Sequence, residues 1–262
     1  MRVWRCQREQ AHAAITAVVL LRRVALALCG LVLLHAPARA AILIHEYALR
    51  GSLEDTLGGD SLTALGGQIT ALGYVFAANE GLAFSSRIFN PSAYSIELSF
   101  RLDDTKETTK IVDFHSLAAD PGLYLQEGKL AFNPTATGTF SDFTADTDVH
   151  VVLTRDGATN LFTAYVNGEQ RFSFHDDLFM ATPPGFSNKL GIFVDTEFDG
   201  SGGTANFLRI YNGPLNASEV SALFAALPPS VVPEPSTFVL LAMGGLTLAL
   251  KSRRRRRRQL GK

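Results

Sequence analysis

The stretch that decides the fold is Tyr94–Leu102, YSIELSFRL, in which every even position is apolar and every odd position is polar. Successive side chains of an extended chain point to opposite faces of a sheet, so strict alternation over this length is typical of a β-strand. The pattern predicts that Ile96, Leu98 and Phe100 face a core. It also predicts that the polar side chains lie on a second, solvated face, as in a half-buried strand.

Further along the chain, the pattern continues as a strand followed by a hairpin. Residues 149–154, VHVVLT, form the next predicted strand. Residues 161–166 and 170–174 then flank Asn167 and Gly168. An Asn-Gly pair between two apolar runs is the strongest short-range signal for a tight β-hairpin, because both residues tolerate a positive φ.

A second hairpin is predicted within residues 122–132, around Glu127 and Gly128. The remaining strand candidates are residues 42–49, 74–77, 82–85, 110–114, 189–194 and 206–211. About ten short strands with turn signals between them predict an all-β sandwich.

One helix is predicted near the end of this β-rich region. Asn216 is a favourable N-cap, and Glu219 stands three residues later, which is the spacing of a capping box. Val220, Leu223 and Phe224 then form an apolar stripe on one helix face. We expect this helix to close a domain over residues 41–227, just before a proline-rich segment.

The order of these pieces resembles the LamG-like, concanavalin A-like jelly roll. YSIELSFRL resembles the long central strand of that family. VHVVLTRDG followed by LFTAYVNGEQ resembles its hairpin, with Val149 where tryptophan is usual, and FLRIYNGPLNASEV resembles its closing strand and helix. The resemblance implies an all-β jelly-roll sandwich with one short C-terminal helix. Because this fold carries carbohydrate-binding modules, adhesion domains and glycosidases alike, it does not decide the function.

Charge and cysteine content exclude several classes of function for residues 41–227. This region holds 10 Lys and Arg against 23 Asp and Glu, a net charge of −13. Such a surface repels phosphate backbones, so we expect no nucleic-acid binding. Both cysteines, Cys6 and Cys29, precede the region, which leaves it without a disulfide, a thiol nucleophile or a thiolate ligand.

The first 40 residues are predicted to be a signal peptide. An apolar run at residues 24–34 is too short to cross a bilayer, and Ala38 and Ala40 follow it in an A-x-A arrangement. Cleavage by signal peptidase after Ala40 is expected. Five arginines precede the apolar run: Arg2, Arg5, Arg8, Arg22 and Arg23.

The region after the predicted helix has three parts. Residues 228–235 form a proline-rich linker, residues 236–250 form an uncharged and mostly apolar stretch, and residues 251–262 carry a dense cluster of arginines. Fifteen helical residues reach about 22 Å, a marginal membrane span. Positive charges remain on the cytoplasmic side, so the pattern predicts a membrane segment with a basic cytoplasmic tail.

This region resembles a PEP-CTERM sorting signal. The V-P-E-P-S pattern of that family is matched by Val232, Pro233, Glu234, Pro235 and Ser236, followed by the apolar stretch and the arginines. The resemblance implies an exosortase-type protease as a partner. It also implies an exported precursor anchored in the inner membrane, which then reaches the cell surface or the extracellular space.

Three carboxylates in the segment DTEFDGSGG form the candidate metal site. Asp195, Glu197 and Asp199 share one face if the segment is extended, and they converge on a calcium ion if it is a loop. A solvated acidic loop is the alternative. Glycosidases of this fold are similar only in carrying the reversed order, E-x-D-x-E, so we assign no catalytic residues.

Other candidates were weighed against ordinary structural roles. The histidines show no i, i+4 pair that would bind zinc, and the chain has neither a nucleophile elbow nor a nucleotide fingerprint. Four aromatic residues are candidates either for stacking on sugar rings or for the core: Tyr124, Phe132, Phe140 and Phe143. Two acidic pairs are interpreted as polar turns: Asp103-Asp104 and Asp176-Asp177.

These observations predict an exported, non-catalytic binding or structural module that recognises polysaccharide, with calcium as the only cofactor considered. Two alternatives remain open. One is a glycoside hydrolase or lyase of concanavalin A-like fold, which needs paired carboxylates in an aromatic-lined groove. The other is a structural adhesion or matrix protein with no sugar site.

Overall fold

The computed structural model describes residues 41–85, 90–115, 121–183, 189–194 and 200–228. These residues form fifteen strands and one helix, α1 (Ala217–Ala225). The strands are β1 (Ile42–Tyr47), β2 (Thr63–Leu65), β3 (Gln68–Ile69), β4 (Tyr74–Phe76), β5 (Gly81–Phe84), β6 (Tyr94–Leu102), β7 (Thr109–Asp113), β8 (Gly122–Gln126), β9 (Lys129–Asn133), β10 (Ala136–Thr137), β11 (Val149–Asp156), β12 (Leu161–Val166), β13 (Glu169–His175), β14 (Leu190–Ile192) and β15 (Gly203–Asn212).

The strands form two antiparallel sheets that enclose the core. Sheet A has eight strands in the order β13-β12-β11-β6-β15-β4-β3, with β1 also paired to β15. Sheet B has seven strands in the order β10-β9-β8-β7-β14-β5-β2. Apolar side chains from both sheets pack into one buried cluster. The predicted all-β sandwich is therefore confirmed.

Both predicted hairpins form, and their turns explain why. Asn167 and Gly168 have φ values of 51° and 81°, and Glu127 and Gly128 have 51° and 76°. A two-residue turn with positive φ at both positions matches the right-handed twist of the strands that it joins. The strands β2, β3 and β10 were not predicted, because two or three residues carry no readable alternation.

The central strand β6 differs from its prediction. Ile96, Leu98 and Phe100 lie in the core between the sheets, as expected. Ser95 and Glu97 on the opposite face are also buried, so the prediction of a half-buried strand is wrong. The reason is the chain after β15, which returns across the outer face of sheet A.

The helix α1 covers this outer face. Its capping box is present as predicted: the Asn216 side chain accepts hydrogen bonds from the backbone of Ser218 and Glu219, and the Glu219 carboxylate accepts one from the backbone of Asn216. Val220 of α1 is fully buried in a second apolar cluster with Tyr211 of sheet A. The described part of the chain contains no helix with the length and hydropathy to span a bilayer.

Candidate functional site

The site residues assigned from sequence motifs lie outside the described residues. This is true of the acidic segment, the sorting motif and the predicted cleavage site: Asp195, Glu197, Asp199, Val232, Pro233, Glu234, Pro235, Ser236, Ala38 and Ala40. The calcium and signal-peptide assignments therefore stay predictions. Among the described residues, no group of three or more histidine, cysteine, aspartate or glutamate side chains is placed to hold a metal ion.

The structure separates the four aromatic candidates. Phe132 and Phe143 belong to the core between the sheets, which rules out stacking on a ligand. Tyr124 is buried on the outer face of sheet B, with the Lys110 ammonium 5.2 Å from its ring centroid. Phe140 alone among the four is exposed, with 61% of its surface accessible.

Phe140 is held in place by a fixed cation. The Arg171 guanidinium lies 5.3 Å from its ring centroid, within the range of a cation–π contact. Arg171 is itself fixed, because its Nε donates to Asp142 at 2.6 Å and an Nη donates to Glu169 at 3.0 Å. The hydrogen bond to Asp142 is the main cause that raises the pKa of Arg171. The guanidinium therefore supports one side of the ring, and the exposed remainder is open to a ligand.

A shallow, open depression of about 290 Å³ lies at the same loop as Phe140, and Phe140 is not itself one of its lining residues. Three loops meet there, and Ser141, which directly follows Phe140, contributes one wall. The lining residues are Thr105, Lys106, Glu127, Gly128 and Ser141. They offer two hydroxyls, an ammonium and a carboxylate, so the depression presents both hydrogen-bond donors and acceptors.

The turn at Gly128 keeps this depression open. Gly128 has φ +76°, and a Cβ there would lie 2.5 Å from the Ser141 hydroxyl oxygen. The Ser141 hydroxyl donates weakly to the Gly128 carbonyl at 3.4 Å. The turn at Glu127 and Gly128 therefore does more than join β8 to β9. It also lets the loop after β10 pack against it.

A second polar cluster, the Glu97 network, is centred on a buried carboxylate beneath α1. Glu97 accepts a hydrogen bond from Nε2 of His150 at 2.9 Å and one from the Tyr211 hydroxyl at 2.5 Å. Arg209 lies 3.4 Å from the same carboxylate and donates to Glu46 at 2.8 Å. Sequence reasoning placed Glu97 in solvent and gave Arg209 no role. The sequence showed that β6 and β15 carry polar residues. It did not show that α1 and the chain after β15 cover them.

Two further ion pairs are fully buried. Lys110 donates to Asp113 at 3.1 Å, and Nε of Arg155 donates to Asp176 at 2.9 Å. Asp176 was predicted to be part of a polar turn. The turn exists, since the backbone N–H of Phe179 donates to the Asp176 carbonyl, but the carboxylate is buried rather than solvated. The correction follows from Arg155, whose charge needs a partner inside the sandwich.

Comparisons with known proteins agree with this architecture. A family model described as the concanavalin A-like lectin/glucanases superfamily matches residues 76–221, more than half of the chain. A model of the PEP-CTERM protein-sorting motif matches residues 231–257. No curated protein sequence matches the chain.

Solved structures share the fold at low sequence identity. The binding domain of botulinum neurotoxin serotype D superposes with a TM-score of 0.54 at 12% identity, covering 70% of this chain and 51% of that one. Trypanosoma rangeli sialidase gives 0.56 at 15%, covering 70% and 32%. Domain 4 of the Geobacillus stearothermophilus arabinanase AbnA, solved with arabinotriose, gives 0.54 at 19%, covering 71% and 99%. This chain thus spans about half of the neurotoxin domain and about a third of the sialidase.

The sorting motif has a direct consequence for the fate of the chain. It indicates a protein that is exported, held at the membrane, processed by an exosortase and sorted to the surface. The β-sandwich runs from Ile42 to Asn212, and the family model matches it from residue 76 onward. By its fold and by the family model that matches most of that sandwich, the chain belongs to the concanavalin A-like lectin/glucanases superfamily.

Proposed function

We propose that this protein is a non-catalytic polysaccharide-binding module of the cell surface, and that it contacts the glycan at Phe140 and the adjoining depression. The single observation that carries the proposal is the exposed Phe140 ring, supported from one side by Arg171. An aromatic ring that is exposed and held by a fixed neighbour presents an apolar face on which a ligand ring can stack.

The chemistry of the depression suits a sugar. The apolar face of a sugar ring stacks on an aromatic face, while its hydroxyls both donate and accept hydrogen bonds. Thr105 and Ser141 supply hydroxyls, and Lys106 and Glu127 supply one donor and one acceptor of opposite charge. Ligand sites commonly combine an apolar platform with a few convergent polar groups.

The charge distribution favours an uncharged glycan. Residues 41–227 carry a net charge of −13, which disfavours sulfated or uronic acid polymers. Lys106 and Glu127 balance each other within the depression. Domain 4 of the arabinanase, a protein of similar fold, was solved with arabinotriose, and it makes arabinan the first polymer to test.

The carboxylates of the described residues support a binding role over hydrolysis. Glycoside hydrolysis uses two carboxyl groups about 5–10 Å apart across the scissile bond. The depression is lined by a single described carboxylate, Glu127. The buried carboxylates Glu97, Asp113 and Asp176 each accept a hydrogen bond from a basic side chain.

The test is binding of the purified full chain to immobilised arabinan, xylan, mannan, cellulose and chitin. The variant Phe140→Ala is expected to weaken binding to the best of these about tenfold, or about 1.4 kcal/mol. Leu72→Ala is the matched control, because Leu72 is exposed as well, at 77%, but lies on the β3–β4 turn. Binding to none of the five polymers, or equal binding by F140A and the unmutated protein, would contradict the proposal and favour a structural role without a sugar site.

A further inference from the structure

The loop that follows β13 exposes two large apolar side chains side by side. Leu178 is 79% exposed and Phe179 is 53% exposed. Neither residue belongs to the core clusters between the sheets or beneath α1. The two side chains are too small an apolar patch to mark an interface by themselves, so what they contact depends on the polar groups around them.

The loop is held rigid from below. Asp176 accepts hydrogen bonds from the backbone N–H groups of Met180 at 2.7 Å and Ala181 at 3.2 Å. Its partner Arg155 donates to the same carboxylate from Nε and to the Asp176 carbonyl from an Nη. The Tyr94 hydroxyl donates to the Ala181 carbonyl and fixes the far end of the loop.

Phe179 is held in a backbone conformation that a bulky residue rarely adopts. Its φ is +56°, in the left-handed region that favours glycine. Such a conformation persists only where the surroundings enforce it, and it concentrates at functional positions. The Arg155 guanidinium lies 5.5 Å from the Phe179 ring centroid, so this ring, like that of Phe140, rests on a fixed cation.

Polar groups lie close to the loop, on the neighbouring β11–β12 turn. The Asn160 amide nitrogen donates to Asp177 at 3.4 Å, and its amide oxygen accepts from Arg155 at 3.4 Å. His175 hydrogen-bonds the Thr159 carbonyl at 3.1 Å from the exposed end of β13. A carboxylate, an amide and an imidazole therefore accompany the exposed ring.

This combination suits a sugar ring better than a larger partner. Two side chains are a small fraction of the roughly 800 Å² that each partner buries in a stable protein interface. The acidic neighbours Asp156 and Asp177 disfavour anionic lipid and nucleic acid. We propose that Phe179, with Asp177 and Asn160, is a second sugar-stacking point of this protein, an inference that rests on the proposed polysaccharide binding.

The two rings lie toward opposite ends of one edge strand. Phe140 rests on Arg171 near the beginning of the edge strand β13, and Phe179 follows the end of that strand. Along β13, the backbone positions of Arg171, which supports Phe140, and of His175, which precedes the Phe179 loop, are roughly 13 Å apart. A polymer that contacts both rings gains from two contacts on one protein, and two polymer chains that contact one ring each are held together.

The experiment is calorimetric titration of the full chain with the trisaccharides of arabinan, xylan and mannan, and then with the polymers. We expect two trisaccharides to bind per chain, falling to one in Phe179→Ala and to one in Phe140→Ala. Phe179→Trp should restore two, because it retains an aromatic face. Leu57→Ala is the matched control, because Leu57 is 52% exposed but lies on the loop between β1 and β2, and this variant should also bind two. Polymer affinity is expected to fall tenfold or more when either ring is removed.

The outcomes separate the two proposals. One trisaccharide per chain, lost in Phe140→Ala and unchanged in Phe179→Ala, would overturn the second stacking point and leave the proposed function intact. Two trisaccharides per chain in Phe179→Ala would overturn it as well. An absence of binding by every trisaccharide and polymer would overturn the proposed function and this inference together.

Discussion

Glu97 and His150 form a hydrogen bond of 2.9 Å beneath α1, and neither side chain is more than 2% exposed. The pair joins the neighbouring strands β6 and β11 on the outer face of sheet A. Phe224 of α1 stacks on the imidazole, with 5.9 Å between ring centroids. Nδ1 of His150 has no hydrogen-bond partner among the described residues. The pair is thus a buried polar contact on which α1 packs through Phe224.

Replacing Glu97 by glutamine should destabilise the fold by about 1–3 kcal/mol, the usual penalty for a buried group that loses its hydrogen-bond partner. Both His150 and Tyr211 donate to this carboxylate, and an amide accepts with only one of its two ends. Chemical denaturation measures the free energy of unfolding. Glu46→Gln is the control, because Glu46 accepts from the same Arg209 but is partly exposed, and it should cost less than about 1 kcal/mol. Equal losses of unfolding free energy in the two variants would show that the buried Glu97 stabilises the fold no more than the partly exposed Glu46 does.

Acidification should destabilise the protein in a way that depends on Glu97. Burial acts to raise the pKa of Glu97, but the hydrogen bonds from His150 and Tyr211 and the charge of Arg209 together lower it below its ordinary value of 4.5. A carboxyl group with a lowered pKa in the folded state stabilises the fold above its unfolded pKa, and this contribution is lost as the pH falls through the folded value. The melting temperature of the protein should therefore decrease as the pH is lowered below about 4.5.

The variant E97Q separates the contribution of Glu97 to the pH dependence from the contributions of other carboxyl groups. E97Q should lose less stability than the unmutated protein between pH 6 and pH 3 (about the range over which carboxyl groups titrate). Some loss should persist, because the pKa of Asp55 is also lowered: burial acts to raise it, but backbone hydrogen bonds from Glu46 and Leu57 outweigh that effect. Identical pH profiles for E97Q and the unmutated protein would contradict the assignment to Glu97.

Arg155→Met should destabilise the protein by about 3–5 kcal/mol, because it leaves the buried Asp176 without its cation. The equivalent change at Arg101, whose ion pair with Asp148 is partly exposed, should cost no more than about 1 kcal/mol. The free energy of unfolding from chemical denaturation compares the two. A loss at position 155 as small as that at position 101 would mean that Arg155 does not stabilise the loop on which Phe179 stands.

The elements that could be predicted are those with a local signal. Alternation identified β6, the turn residues Asn167-Gly168 identified the β12–β13 hairpin, and the capping box at Asn216 identified α1. Each depends on residues within a few positions of one another. The short strands β2, β3 and β10 depend instead on pairing with the sheet edge beside them, which no window of sequence reveals.

The candidate site was harder to predict because it depends on tertiary contacts. Phe132 and Phe140 are the same residue type in one stretch of chain, yet one lies in the core and the other is exposed. Phe132 lies in β9, where side chains alternate between the two faces of the sheet, and this alternation explains its burial. Phe140 lies in the loop between β10 and β11, where no such alternation applies. The role of Phe179 depends on a buried Arg155 that is 24 positions away in the chain.

Calcium should stabilise the protein if the acidic segment binds it. Asp195, Glu197 and Asp199 repel one another, and a divalent cation would relieve that repulsion. At a hundredfold excess over Kd the stabilisation is about 2.7 kcal/mol. For a protein of this size it amounts to several degrees of melting temperature, at about 2–4 °C per kcal/mol. Thermal melts in millimolar calcium and in chelator measure the difference, and Asp195→Asn combined with Asp199→Asn should abolish it. An unchanged melting temperature in the unmutated protein would identify a solvated acidic loop instead.

Processing at the sorting motif should require Pro233, Glu234 and Pro235, because the motif that matches residues 231–257 is the signal an exosortase reads. Replacing these three residues by alanine should leave an unprocessed chain in the membrane fraction, which an antibody against the arginines of residues 253–258 detects. The matched control replaces Pro228 and Pro229, which belong to the same proline-rich linker but precede the matched motif. The control should be processed like the unmutated protein, since it removes stiffness from the linker without touching the motif. If the triple variant is shortened and released at the same rate as the control, the motif does not direct this chain to the cell surface. In that case neither the motif nor the prolines before it would explain the sorting of the chain.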